Sequence, residues 1–189
     1  FNSVLSGFPP SLLNHCDLAS VSLHKKALGG SQICTTLFKE HHHYQMFQEA
    51  GNFGFMTTSP SFPLLLTAED QLAKIVEGRF DHVGPKLSAR RAELARSIPT
   101  EVHPEMRVIT ASDVGATHQD LTHLLIHWNV PQVCGQDLVD DLAARSLRIA
   151  EKATNNTLLL LISNAPHDAA GKIISDLKLS FQHLLKNRK

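Results

Sequence analysis

Asp120, His123 and His127 lie in one stretch, THQDLTHLLIHWNV, from Thr117 to Val130. If this stretch is helical, the three side chains share a face at about 100° per residue. A carboxylate with an H-x3-H pair on one face suits a divalent ion. Zn²⁺ held this way keeps an open position for water and lowers that water's pKa toward about 7. No acidic residue stands between the histidines as it does in H-E-x-x-H. A third or fourth ligand must then come from elsewhere, with Glu40 and His43 as candidates. Without such a partner the three residues are a solvated polar face.

Helical spacing also accounts for the opposite side of this stretch. Leu121, Leu124, Leu125 and Trp128 recur at i, i+3, i+4 and i+7. Thr117 and Asp120 suit a capped start, and Pro131 suits a stop. The spacing therefore predicts a helix over 117–130, with its apolar side in the core.

Two further groups suit binding. Arg90, Arg91 and Arg96, with Lys86, face only Glu93 in the segment from Lys86 to Ser97. Such a basic helix fits phosphate or an acidic partner, although Arg91 borders the apolar stripe and can lie across it. No aromatic residue is interleaved to stack on bases, which disfavours single-stranded nucleic acid; nucleic acid is kept as a secondary partner class. Phe53 and Phe55 lie in GNFGFMTTSPSFPLLL, a stretch rich in glycine, proline and phenylalanine from Gly51 to Leu66. That composition predicts a long ordered loop able to dock a partner.

Around these groups the apolar spacing predicts a mostly α chain of about seven amphipathic helices. They fall after Pro10, over Ser31–Ala50, from Thr67 to about Phe80, over Lys86–Ser97, over 117–130, over Gly135–Thr154, and from about Pro166 to the basic tail. Leu72, Ile75, Val76 and Phe80 form the predicted buried stripe of the helix that begins at Thr67. A linker is expected near 99–105. The alternative is an α/β fold with parallel strands near 107–111 and 157–163, which would bring Asp113 and His167 to one edge.

Composition sets the outer bounds. The chain has 189 residues, 42% of them hydrophobic, with 18 basic and 18 acidic side chains and twelve histidines. Leu and Ala outweigh β-branched residues, which favours helices. Zero formal charge gives no overall pull toward nucleic acid or anionic membrane. Exposed histidines would make the net charge rise on acidification. Three dispersed cysteines, Cys16, Cys34 and Cys134, predict free thiols in a reducing intracellular compartment, the cytoplasm. No apolar run is long enough to span a bilayer. Phe1 in place of Met points to a fragment of a longer chain, read as one domain over 1–189.

Two functions follow as expectations. The first is a histidine-rich helical interaction or assembly domain, bound to a protein partner or to itself, with no cofactor and no catalytic motif. The alternative is a metal-dependent hydrolase using Zn²⁺ on His123 and His127.

Overall fold

The computed structural model describes residues 11–22, 34–51, 61–145, 150–162 and 169–187. It divides into two compact units, one of the described residues up to His82 and one from Val83 onward.

The first unit holds two antiparallel strands, β1 (Leu18–Ser22) and β2 (Cys34–Phe38), paired from Leu18 opposite Phe38 to Ser22 opposite Cys34. Helix α1 (His41–Gly51) follows β2, and helix α2 spans Phe62–Val76. Phe38 packs on the rings of Tyr44 and Phe47 at centroid distances of 5.5 and 5.3 Å, which ties α1 to β2. Pro63 in the first turn of α2 has the fixed φ and missing N–H that a helix start tolerates. Ala68 and Ile75 are the buried hydrophobic residues among those described in this unit. Val76, expected inside, is 84% exposed.

The second unit is a two-layer α/β structure. Its chain order is α3 (Val83–Ser97), a π-helical turn (Ile98–Val102), β3 (Met106–Ile109), β4 (His123–Trp128), α4 (Gly135–Ala144), β5 (Ala150–Ala153), β6 (Thr157–Leu161) and α5 (Ala169–Asn187). The sheet order is β3-β4-β6-β5, with every neighbouring pair antiparallel. Leu124, Ile126 and Trp128 of β4 and Leu158 and Leu160 of β6 point to the helical layer, where they meet Leu94, Leu138, Leu142, Leu177 and Phe181. Trp128 lies edge-on to Phe181 and donates its indole N–H to the Val133 carbonyl at 2.9 Å. The other face carries His123, Leu125, His127 and Leu159, all half-buried. No helix among the described residues is long and apolar enough to cross a membrane.

This architecture corrects the mostly α expectation of about seven helices. Five α-helices and six strands are described. The 117–130 segment contains strand β4, whose burial alternates residue by residue. Leu124, Leu125 and Ile126 are consecutive apolar residues and satisfy either period. β3 and β6 complete hydrogen-bonded ladders on both sides of the segment, and that decides the outcome. Asp120 does not open a helix; it accepts from the Thr122 amide at 2.8 Å and holds a turn. The helix expected over Gly135–Thr154 ends at Ala144, and its distal part is β5. The helix expected after Pro10 is replaced by β1, and the one expected from Ser31 begins only at His41. Strands do occur near 107–111 and 157–163, but β4 lies between them and is antiparallel to both. The expected linker near 99–105 includes Val102, which is buried in the core.

Candidate functional site

One end of the second unit's sheet gathers Arg90, Arg91, Asp120 and His123 from the residues singled out by the sequence, together with Gln119 and Glu151, which it did not reveal. Helix α3 brings Arg91 under this end. The side chain is 7% exposed. It donates to the carbonyl of Ile109 at 3.0 Å, where β3 ends, and to the carbonyl of His123, where β4 begins. It also donates at 3.0 Å to Gln119 Oε1, which accepts from the Ala111 amide as well. Burial lowers the pKa of the Arg91 guanidinium, and the nearby Asp120 charge partly offsets this. Arg90 donates to the Ile162 carbonyl at 2.9 Å, just beyond β6. Two of the three candidate arginines thus satisfy strand-end carbonyls. Arg96 is exposed, and its Nε lies 3.4 Å from its own helix's Ala92 carbonyl.

Above Arg91 sits a three-residue cluster. Asp120 Oδ1 accepts from the Thr122 amide and hydroxyl at 2.8 and 2.6 Å. Its Oδ2 lies 2.9 Å from His123 Nδ1. The other ring nitrogen, Nε2, lies 3.1 Å from Glu151 Oε2. The His123 side chain is 20% exposed, against 38% for Asp120 and 40% for Glu151. Glu151 arrives through a bulge. Ala150 pairs with Leu160 and Lys152 with Leu159, so Glu151 is the extra residue of its strand. Such an insertion re-aims a side chain, here across β6 toward β4.

The strand separates the expected histidine pair. Four residues along an extended chain span roughly 13 Å, so His123 and His127 do not meet at one ion. His127 instead faces the rows of Arg107 and Thr157. Asp120 and His123 do come together, but both ring nitrogens already face carboxylates on opposite sides. Among the described residues no group of three or more His, Cys, Asp or Glu is placed to hold a metal. Glu40 and His43 belong to the first unit, where Glu40 approaches His42 at 3.2 Å and His43 approaches Asp17 at 3.9 Å. Asp113 caps Thr110, accepting from its amide and hydroxyl at 2.7 Å each. Phe53, Phe55 and His167 lie outside the described residues.

Gln119 and Glu151 were not legible as site residues. Gln119 carries no sequence signal. Glu151 lies in a short Ala-Glu-Lys-Ala run whose residues suit a helix, and its position depends on a register shift fixed by β6.

No family model matches the chain, and no curated protein matches it. Solved structures do. The constitutive lysine decarboxylase of E. coli matches with a TM-score of 0.66 and 18% identity, over 88% of this chain and 28% of that one. The lysine decarboxylase of Francisella novicida matches with a TM-score of 0.67 and 17% identity, over 90% and 28%. An α-aminoadipate aminotransferase from Thermus thermophilus, complexed with N-(5'-phosphopyridoxyl)-L-leucine, matches with a TM-score of 0.55 and 12% identity, over 82% and 39%. At these identities the likeness is one of fold. The chain spans 28% of the length of either decarboxylase.

Proposed function

We propose that this chain is part of an amino-acid decarboxylase, with a basic amino acid as the substrate class. The supporting observation is the fold likeness to two lysine decarboxylases over 88% and 90% of the chain. The aminotransferase likeness extends the same fold to a protein bound to a phosphopyridoxyl amino acid, so pyridoxal phosphate is the cofactor class to test. None of the described lysines is buried, and Lys74 and Lys172 are paired with Asp70 and Asp176. The described residues therefore offer no amine placed to carry an aldehyde cofactor. Their contribution is the α/β scaffold and the polar cluster at the end of its sheet. The test is release of carbon dioxide from L-lysine, L-ornithine and L-arginine by the full-length protein with added pyridoxal phosphate. Turnover of any of the three supports the proposal, and no turnover of any overturns it.

A second reading, a protein-interaction or self-association module, is favoured by the surface of the first unit. Leu12, Met46, Phe62, Leu66 and Val76 there are between 64% and 84% exposed. Exposed apolar patches commonly mark contact areas, and three of these side chains, Phe62, Leu66 and Val76, belong to α2. Sedimentation of the 189-residue polypeptide tests self-association: a larger species that Val76→Asp and Leu66→Asp dissociate supports it, and a monomer at all concentrations removes it.

A further inference from the structure

The second unit's sheet has an unusual cross-brace. His123 is on β4 and Glu151 on β5, yet β6 runs between them. Two interstrand spacings are about 9.5 Å, and the histidine and glutamate side chains together close that gap on the face away from the helices. Among the described strands β5 ends the sheet; its four residues pair with β6 and are irregular at Ala150 and Lys152. Its backbone pairing is therefore weak, and a side-chain brace has leverage on it.

We propose that Asp120, His123 and Glu151 form a protonation-dependent clip that fastens edge strand β5 to β4 across β6. A neutral imidazole has one N–H and one lone pair. It can satisfy only one of two carboxylates. The imidazolium donates from both nitrogens and satisfies both. The Nδ1 side is the better furnished, with Asp120 Oδ2 and Thr122 Oγ1 each 2.9 Å away. The hydroxyl's own hydrogen goes to Asp120 Oδ1, so at Nδ1 the oxygen acts as an acceptor. The neutral ring accordingly keeps its hydrogen on Nδ1 and turns the Nε2 lone pair toward Glu151, releasing that carboxylate. Among the described residues, the charged groups facing His123 are Asp120 from the preceding turn, Glu151 from β5, and Arg91 from α3, which donates to the His123 carbonyl. Lys152 is exposed beside Glu151 and pairs with Leu159, a residue of the same open face.

The experiment is amide hydrogen exchange over Ala150–Ala153 in the 189-residue polypeptide, with each rate divided by its intrinsic rate at the same pH. As pH is lowered from about 8 to about 5.5, protection of β5 should rise about three- to fivefold, as for a partly exposed ion pair. Glu151→Gln should remove that rise, because an amide can accept from Nε2–H or donate to the lone pair. An equal rise in the variant, or no rise in the wild type, overturns the clip. If Glu151→Gln does not fold, ¹⁵N NMR of the wild-type imidazole decides. The β5 amide shifts must follow the His123 nitrogens through their titration; β5 shifts that ignore it overturn the clip.

Discussion

Arg91 shows how one side chain can organise a strand end. Its planar fork satisfies acceptors from three segments at once: the end of β3, the start of β4, and Gln119 between them. A buried carbonyl left without a donor costs about 1–3 kcal/mol, so these contacts explain why a charge is tolerated at 7% exposure. Asp141 does similar work between α4 and α5. It accepts from Arg145 Nε at 2.8 Å and lies 2.7 Å from His183 Nδ1. Burial raises its pKa, but hydrogen bonding from Ser180, Arg145 and His183 and the Arg145 charge outweigh this and hold it below the usual carboxylate value. The buried Ser180 hydroxyl is outside strict hydrogen-bond geometry, so the Arg145 and His183 contacts are the firmer causes. A carboxyl with a lowered folded pKa adds stability above its unfolded value, about 3.9, and loses it as pH falls through the folded value. Asp141→Asn should therefore destabilise the protein at about pH 7, and the gap to wild type should shrink as pH falls below about 3.9 toward the lowered folded value. Urea unfolding of both proteins at each pH checks this; a gap that is constant with pH would show that Asp141 acts through packing and not through charge.

Among the elements, the β5–β6 hairpin and the start of α4 depend on one glycine. A Cβ at Gly135 would lie 1.9 Å from the Thr154 carbonyl oxygen and 2.9 Å from that of Thr157. Both atoms are backbone in the hairpin turn, where Thr154 N–H donates to the Thr157 carbonyl at 3.0 Å. The Gly135 amide also donates to the Asn155 carbonyl at 3.1 Å. Gly135→Ala must therefore push the helix off the hairpin, at a cost of about 1–3 kcal/mol or more, which chemical denaturation would read. A cost below about 0.5 kcal/mol, the ordinary surface value, would mean that helix and hairpin can part at this point without loss. The same hairpin shows what was legible in the sequence. β6 falls where the α/β alternative expected a strand, near 157–163, while β5 lies inside the helix expected over Gly135–Thr154. Helices α2, α3 and α5 were visible through the helical period of their apolar residues, but α2 starts at Phe62, inside the stretch expected to be a loop to Leu66, because Pro63 suits a helix's first turn. β4 was not, because its apolar triplet fits two periods and its partners are distant in sequence. The polar cluster inherits that ambiguity. Asp120 and His123, grouped as metal ligands on an expected helix face, lie 2.9 Å apart because spacing i,i+3 also brings residues together in a turn leading into a strand. His127 was added by a helical period that the strand does not have.

At the scale of the whole chain, apolar burial is divided very unevenly. The connected core runs from Leu87 to Phe181 and belongs entirely to the second unit. Among its described residues the first unit buries the hydrophobic Ala68 and Ile75 and pairs two strands. A two-stranded sheet is marginal in water without a packed face, so the two units should differ in stability within one polypeptide. Leu94, fully buried, and Leu66, 64% exposed, make the comparison with one residue type. Leu94→Ala should cost about 2–5 kcal/mol, through lost transfer energy and a cavity, while Leu66→Ala should stay within about 0.5 kcal/mol. Amide exchange gives the parallel readout. Amides of β4 and β6 should open only with the second unit's global unfolding, and those of β1 and β2 should exchange through a cheaper local opening. Equal protection of β1–β2 and β4–β6 in the 189-residue polypeptide would mean that the first unit's apolar surface is already covered in solution. Repeating the exchange at several protein concentrations would then show whether a second copy supplies the cover, since protection by association rises with concentration and protection within one chain does not.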